Sequence, residues 1–537
     1  MGRLIIIKNI CCVLISLISL PGNGQVPPKN WQLLDRKTDD VYGMSVEKAY
    51  RTILKDKKPK KKVIVAIIDV GMDITHPAFK GSIWTNEKEI EGNGIDDDRN
   101  GYIDDVHGWN FIGECQVETY DCVREYVKFR KRFEHATDTL NPEVGYWRQM
   151  KRETDNLLAF REALFNRINP IVAALSPLNK YWQETLHKDS INFGELVQLK
   201  LPAGADSNLV RAQTKVLPQS LLSDTVRRNA LTLQAVINIY QDVVNFYKGE
   251  YETAKTIIDK DDVGYFRRHS PGDDPYTNSS IYYGNSDVRS KISHGNGVAG
   301  IIAAARFNPE VKGIASWVEV MPITVVTPKV IGEERDKDVA NAIRYAVDNG
   351  AKIINFSLGK QTSPQKQLVE ASVRYAASRG VLIFAAAGNQ ASNKDVVTNY
   401  LNRHFADGSL ADNLFLVGAT TSGSALVWSS SNYGKEEVDF FAPGDDIYST
   451  ALDGKYNWDS GTSYAAPAAA GLAALIWNYY PALSYKQVAQ CIEKSVGLSE
   501  MLVEKPGTTE QVPFKALSRL GGLINAYKAL KMAAIIH

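Results

Sequence analysis

Breaking an amide bond requires a nucleophile, a base for its proton, a group that holds the base, and donors for the developing oxyanion. Each has a candidate in this 537-residue chain. Ser463 lies in Ser460-Gly461-Thr462-Ser463-Tyr464-Ala465-Ala466-Pro467, ahead of small residues that run through Ala470 and Gly471 into an apolar helix ending near Tyr480. A serine at a helix start exposes its hydroxyl beside backbone N–H groups that can receive negative charge. Alone, the segment is equally an ordinary serine cap. His294 lies among glycines in Ser293-His294-Gly295-Asn296-Gly297-Val298-Ala299-Gly300. An imidazole there can approach a reacting group closely and act as base and acid near neutrality. A lone histidine is usually structural, so its companions decide. Asp69 ends an apolar run, Val63 to Ile68, where a carboxylate can hold an imidazole in one tautomer; capping a turn is its plainer role. Asn389 follows Phe384-Ala385-Ala386-Ala387-Gly388, placed either to donate to an oxyanion or to close a turn.

The elements that must carry these groups alternate along the chain. Val63–Ile68 is continuously apolar and β-branched, as a strand buried on both faces should be. Similar runs occur at Val318–Val326, Ile353–Phe356, Val381–Ala386 and Leu414–Gly418. Helices fit between them, one from Ser363-Pro364 to Gly380 and another from about Asp338 to Asn349. This alternation predicts an α/β fold with a mainly parallel central sheet covered by helices on both faces, functional groups lying at the carboxyl ends of strands.

One stretch breaks the pattern. From 117 to 281 strand-like runs are few. Tyr126–Glu134 and Tyr146–Ile168 read as helices, the latter ended by Pro170. Val226, Ala230, Leu233, Val236, Ile237, Tyr240, Val243 and Tyr247 share a helical face after a cap at Ser223. The expected organisation is therefore a signal peptide over 1–24, an N-terminal extension over 25–62, a core domain over 63–116 and 282–537, and a helical insertion over 117–281. The signal reading rests on Arg3 and Lys8 ahead of an apolar run from Ile10 to Leu20, closed by Pro21-Gly22-Asn23-Gly24. It predicts export to the periplasm, cell surface or medium, without stable membrane insertion once the signal is removed.

Net charge is +1, from 62 basic and 61 acidic residues, which gives no electrostatic reason to expect nucleic acid or an anionic membrane as partner. Nothing in the sequence assigns an oligomeric state. Signal removal would leave Cys115, Cys122 and Cys491. The first two can pair in an oxidising compartment, whereas Cys491 falls in a helical pattern as a small buried residue.

The blocks around Asp69, His294, Asn389 and Ser463 resemble, in order, the signature blocks of the subtilisin-like serine proteases. Ser357, Leu358 and Gly359, in Asn355-Phe356-Ser357-Leu358-Gly359, are similar to the strand lining that family's substrate cleft, and Ala386, Ala387 and Gly388 to the opposite wall of its primary pocket. The resemblance covers roughly Val63–Gln116 and Tyr282 to the C-terminus. It implies a three-layer subtilisin-like fold and a secreted endopeptidase acting on polypeptides through an acyl-enzyme, without a cofactor for catalysis. Asp69, His294 and Ser463 would be its triad and Asn389 its oxyanion donor. A catalytically silent binding module and a narrow processing or peptide-ligating enzyme are the rival readings. There are departures. The family's glycine–threonine–histidine after the catalytic histidine is here Gly295-Asn296-Gly297. Val70 replaces a serine or threonine, and Tyr464 a common methionine. Residues 25–62 are too few to resemble the family's folding pro-domain, so folding is expected to be independent of one.

Between Asp96 and Asp105 lies an acidic loop. Asp96, Asp98, Asn100, Tyr102 and Asp104, with Gly101 at the turn, follow EF-hand spacing, and Asp105 can replace the carboxylate missing at His107. Crowded carboxylates favour a cation over the alternative of a bare solvated turn, so a structural calcium ion is expected there.

Overall fold

The computed structural model describes residues 27–537 except 139, 197, 217–231, 268–271, 278, 316 and 331. The expected signal segment and Ser223, Val226 and Ala230 lie outside the described residues. The described residues divide into two compact units, one within Cys122–Asp262 and the other formed by 27–121 with Val263–His537.

The larger unit is built on seven strands: β1 (Val63–Asp69), β2 (Trp109–Asn110), β3 (Val318–Thr324), β4 (Ile353–Phe356), β5 (Leu382–Ala386), β6 (Leu414–Thr420) and β7 (Phe440–Pro443). Their order across the sheet is β2-β3-β1-β4-β5-β6-β7, and every pairing is parallel. β1 lies inside the sheet, with Asp69 opposite Thr324 of β3 and Ile68 opposite Phe356 of β4. Its alternating side chains feed two cores. Val63, Val65 and Ile67 pack with the helices Thr462–Tyr479 and His294–Ala303. Ala66 and Ile68 pack on the other face with Asp336–Asp348 and Lys366–Ser378. The result is the expected three-layer α/β arrangement. A hairpin of β8 (Ile447–Thr450) and β9 (Tyr456–Asp459) stands beside it.

The extension ahead of β1 is part of this core. Trp31, Leu33, Met44, Val46 and Ala49 are fully buried against the Thr462–Tyr479 side. The Trp31 indole donates to Asp446 O at 2.8 Å.

The helical unit contains Pro142–Leu186 and Leu233–Lys260, which share an apolar cluster of Ile168, Leu175, Leu178, Trp182, Val236, Tyr240 and Val243. Pro170 does not end the first helix, as the sequence predicted. The helix continues through Pro170 and Pro177 for 45 residues. An interior proline costs about 3 kcal/mol, but stopping there would strand Leu175, Leu178 and Trp182 outside the cluster. Arg161 and Glu250 form a buried ion pair between the same two helices.

Two further local expectations fail. The helix predicted from Ser363 begins at Lys366. Ser363 Oγ and Gln365 N–H instead donate to the Asp336 carboxylate, at 2.8 and 2.7 Å. Cys115 carries a free thiol, so the disulfide to Cys122 is not formed. Its Sγ donates to Val117 O at 3.1 Å, and burial pushes the thiol up to about 11.

Trp31→Ala is expected to destabilise the larger unit by about 3–5 kcal/mol, read as a lowered urea midpoint.

Candidate active site

Asp69 is wholly buried at the carboxyl end of β1. Its Oδ1 accepts from Val70 N–H at 2.8 Å and lies 2.7 Å from His294 Nδ1. His294 opens the helix His294–Ala303, and its imidazole is 22% exposed. The approach depends on Gly295: a methyl group there would sit 2.0 Å from Gly71 O. Asn296, a departure from the family pattern, clamps the loop after Asp69. Its Oδ1 accepts from Asp73 N–H at 2.8 Å and its Nδ2 donates to Asp73 O at 3.2 Å. Burial pulls the His294 pKa down. The Asp69 charge and hydrogen bond, with a smaller contribution from Asp459, more than offset it and hold the imidazole above its usual value.

Ser463 is the second residue of the helix Thr462–Tyr479. Proline at 467 has no N–H for the carbonyl four residues back, which is that of Ser463. Ser357 Oγ–H takes the vacant acceptor at 2.8 Å, itself accepting from Asn355 Nδ2 at 2.8 Å. In return Ser463 Oγ–H donates to Ser357 O at 3.1 Å. The serine block and the segment after β4 are thus bonded in both directions.

Asn389 follows β5. Its Oδ1 accepts from Thr462 N–H at 2.9 Å and from Thr462 Oγ–H at 2.8 Å. The same Oγ accepts from Gly388 N–H at 2.9 Å. A methyl placed on Gly461 would lie 3.3 Å from Asn389 Nδ2 and 3.6 Å from Ser463 N, so both nitrogens border one small space. Asn432 braces this loop, its Oδ1 accepting from Gln390 and Ser392 N–H and its Nδ2 donating to Ala387 O at 2.8 Å. Thr462 was in the quoted block without a role, and Asn432 was missed. No local pattern marks a residue whose partners lie about forty positions away.

Leu358 is half-buried and Gly359 exposed, while Ser357, Ala386 and Ala387 are buried and Gly388 intermediate. The backbone groups of Leu358 and Gly359 have no hydrogen-bond partner among the described residues. Lys360 next to them is anchored: its Nζ lies 2.7 Å from Asp121, from Asp336 and from Glu334 O.

The acidic loop divides. Asp96 and Asp98 have carboxylate oxygens within 4.8 Å of each other and of Glu89, which the loop's spacing did not flag. Glu89 is 8% exposed, and its Oε2 is buried without a hydrogen-bond partner. Asp104 accepts from Asn93 and Gly94 N–H. Asp105 accepts from Tyr345 at 2.6 Å, Asn86 at 2.9 Å and Asn100 Nδ2 at 3.1 Å. Burial pushes the Asp105 carboxyl up to about 6. Tyr102 packs its ring edge-on to Trp109 and Tyr345.

A sequence model of the subtilase family matches residues 60–521. Among curated proteins, a thermophilic serine proteinase of Bacillus sp. (strain AK1) is 38% identical over 185 residues, 34% of this chain and 42% of that one. A subtilisin of Bacillus sp. (strain TA39) is 34% identical over 219 residues, 38% of this chain and 50% of its own length. The chain thus spans about half the length of these relatives, or less. Among solved structures, the prenylagaramide maturation protease PagA is 25% identical, covering 45% of this chain and 82% of its own at a TM-score of 0.37, too low to bear on the fold. The family match runs through β1, the histidine helix, the Asn389 loop and the serine helix, and the chain belongs to the subtilase family.

Proposed function

We propose that this chain is an exported serine endopeptidase that hydrolyses peptide bonds in extended polypeptide segments. The observation that carries the reading is the 2.7 Å contact between the buried Asp69 carboxylate and His294 Nδ1. Such a partner fixes the tautomer that leaves Nε2 free as a base. Ser463 Oγ turns from Ser357 O towards Nε2, gives up its proton there and attacks the scissile carbonyl carbon. The oxyanion is received by Asn389 Nδ2 and the Ser463 N–H, the two nitrogens that border one space. Collapse expels the amine, which takes the proton from His294, and leaves an ester on Ser463. Water then gives a proton to the same imidazole and adds to the ester carbonyl, the acyl–Oγ bond breaks, and that proton passes to Ser463 Oγ as the acid leaves. The unbonded backbone of Leu358 and Gly359 supports binding of the substrate as an added strand, with Ala386–Gly388 as the facing wall. Export is supported by the charged and then apolar start of the sequence, and no described helix is long and apolar enough to cross a membrane.

Calcium belongs to the same reading as a structural ion. Glu89, Asp96 and Asp98 fit it through the unpartnered Glu89 oxygen, which a hard cation would satisfy. Bound there, it would offset two of the three carboxylate charges and hold the loop. It has no part in the chemical steps.

Four outcomes are expected. Ser463→Ala should abolish labelling by a fluorophosphonate probe, and unchanged labelling would show the nucleophile to be elsewhere. His294 must be neutral to act, and its pKa is raised, so the acid limb of kcat/KM should lie above the ordinary histidine value of about 6.5. Asp69→Asn should move that limb to lower pH and reduce kcat by roughly 100-fold or more. Calcium at a hundredfold excess over its Kd should stabilise the chelated protein by about 2.7 kcal/mol, and Glu89→Gln should abolish that gain in a thermal melt.

A further inference from the structure

Gly297 and Tyr464, two departures from the family's pattern lying far apart in sequence, touch in space. A methyl group on Gly297 would lie 2.8 Å from Tyr464 Cε1 and 2.9 Å from its hydroxyl oxygen. Real side-chain carbons essentially never come that close, so the tyrosine and any larger residue at 297 exclude each other. Tyr464 fills the space over Gly297, with its ring edge-on to His294 at 6.0 Å between centroids and 71° between planes.

The ring also carries a hydroxyl, and the hydroxyl has a partner. Tyr464 is buried, and it donates to Asp459 Oδ2 at 2.5 Å. Asp459 ends β9, and its other oxygen accepts from Ser460 N–H at 2.8 Å. β9 pairs with β8, and β8 is fastened to the histidine helix: Ser449 and Thr450 hydroxyls donate to Gly297 O and Asn296 O, each at 2.7 Å. The carboxylate is therefore held in place by a hydrogen bond on each oxygen and by a hairpin tied to the helix that His294 begins.

We propose that Asp459, held by the Tyr464 hydroxyl, is a positioning residue that acts as a second carboxylate on His294 and sets the pH at which the base becomes available. The inference rests on the triad reading. Asp69 on β1 and Asp459 on β9 both favour the charged form of His294, Asp69 the more strongly. Tyr464, the titratable group facing it from the serine helix, is kept a neutral donor because burial raises its pKa well above the ordinary value. Burial holds the Asp459 pKa above the ordinary carboxylate value, and the Tyr464 hydroxyl and Ser460 N–H, which favour the ionised form, offset part of that rise. A buried carboxylate of this kind stabilises imidazolium, and a space-filling tyrosine without the hydroxyl does not.

The test compares acid limbs of kcat/KM on a fluorogenic peptide library and of the fluorophosphonate inactivation rate. Asp459→Asn should shift both limbs down by about half a pH unit or more. Tyr464→Phe keeps the ring but leaves Asp459 short of a donor, so its limb should move the same way by a smaller amount. Gly297→Ala should displace the ring and reduce the inactivation rate, and combining it with Tyr464→Phe should not restore the parent limb. Limbs of Asp459→Asn and Tyr464→Phe that superimpose on the parent, in variants with unchanged thermal melts, would overturn the inference. Labelling that survives Ser463→Ala would instead overturn the triad reading, so the two failures are distinguishable.

Discussion

A carboxylate with no exposed surface is costly unless it is paired. Asp69 is such a group, at the end of a strand with sheet on both sides. Its Oδ1 is satisfied by the next backbone N–H and by one imidazole nitrogen. The rest of the larger unit can be understood as what brings that imidazole within 2.7 Å. Gly295 lets the helix close on Gly71, Asn296 grips the loop behind it, and the β8–β9 hairpin binds the helix from the far side. Removing the imidazole would take from the buried Asp69 carboxylate the side chain that its Oδ1 meets.

The serine helix is coupled to the sheet by a different device. Proline at 467 frees one carbonyl, and that carbonyl belongs to the residue that carries the hydroxyl. Ser357 spans the gap, so the segment after β4 and the residue Ser463 are registered to each other through side-chain and backbone groups of both. Thr462 performs the matching task for Asn389. For the oxyanion role proposed for Asn389, donors are effective when they need no reorganisation as charge develops. Here the amide is already held by two donors on its oxygen.

Much of this was legible in the sequence because it is local. The strand Val63–Asp69 shows in its unbroken apolar run, and Asp69, His294, Asn389 and Ser463 each stand where an element starts or stops. What was not legible depends on distant partners. Asn432 carries no local mark of bracing the loop near Asn389, and Glu89 joins Asp96 and Asp98 only because the chain folds back. Pro170 reads as a stop until the neighbouring helix supplies a reason to continue, and Ser363 reads as a cap until Asp336 competes for it. Gly297 and Tyr464 were each visible as departures, but a single sequence cannot say that one makes room for the other.

The segment before β1 bears on where the chain tolerates a cut. Trp31, Leu33, Met44, Val46 and Ala49 are interior residues of the unit that follows them, and the indole is tied to the backbone at Asp446. A scission between Trp31 and the first strand would withdraw interior packing from the unit that holds the site. For the peptidase proposed above, a cut upstream of Trp31 would spare this packing, and nicking downstream of it would act as self-inactivation.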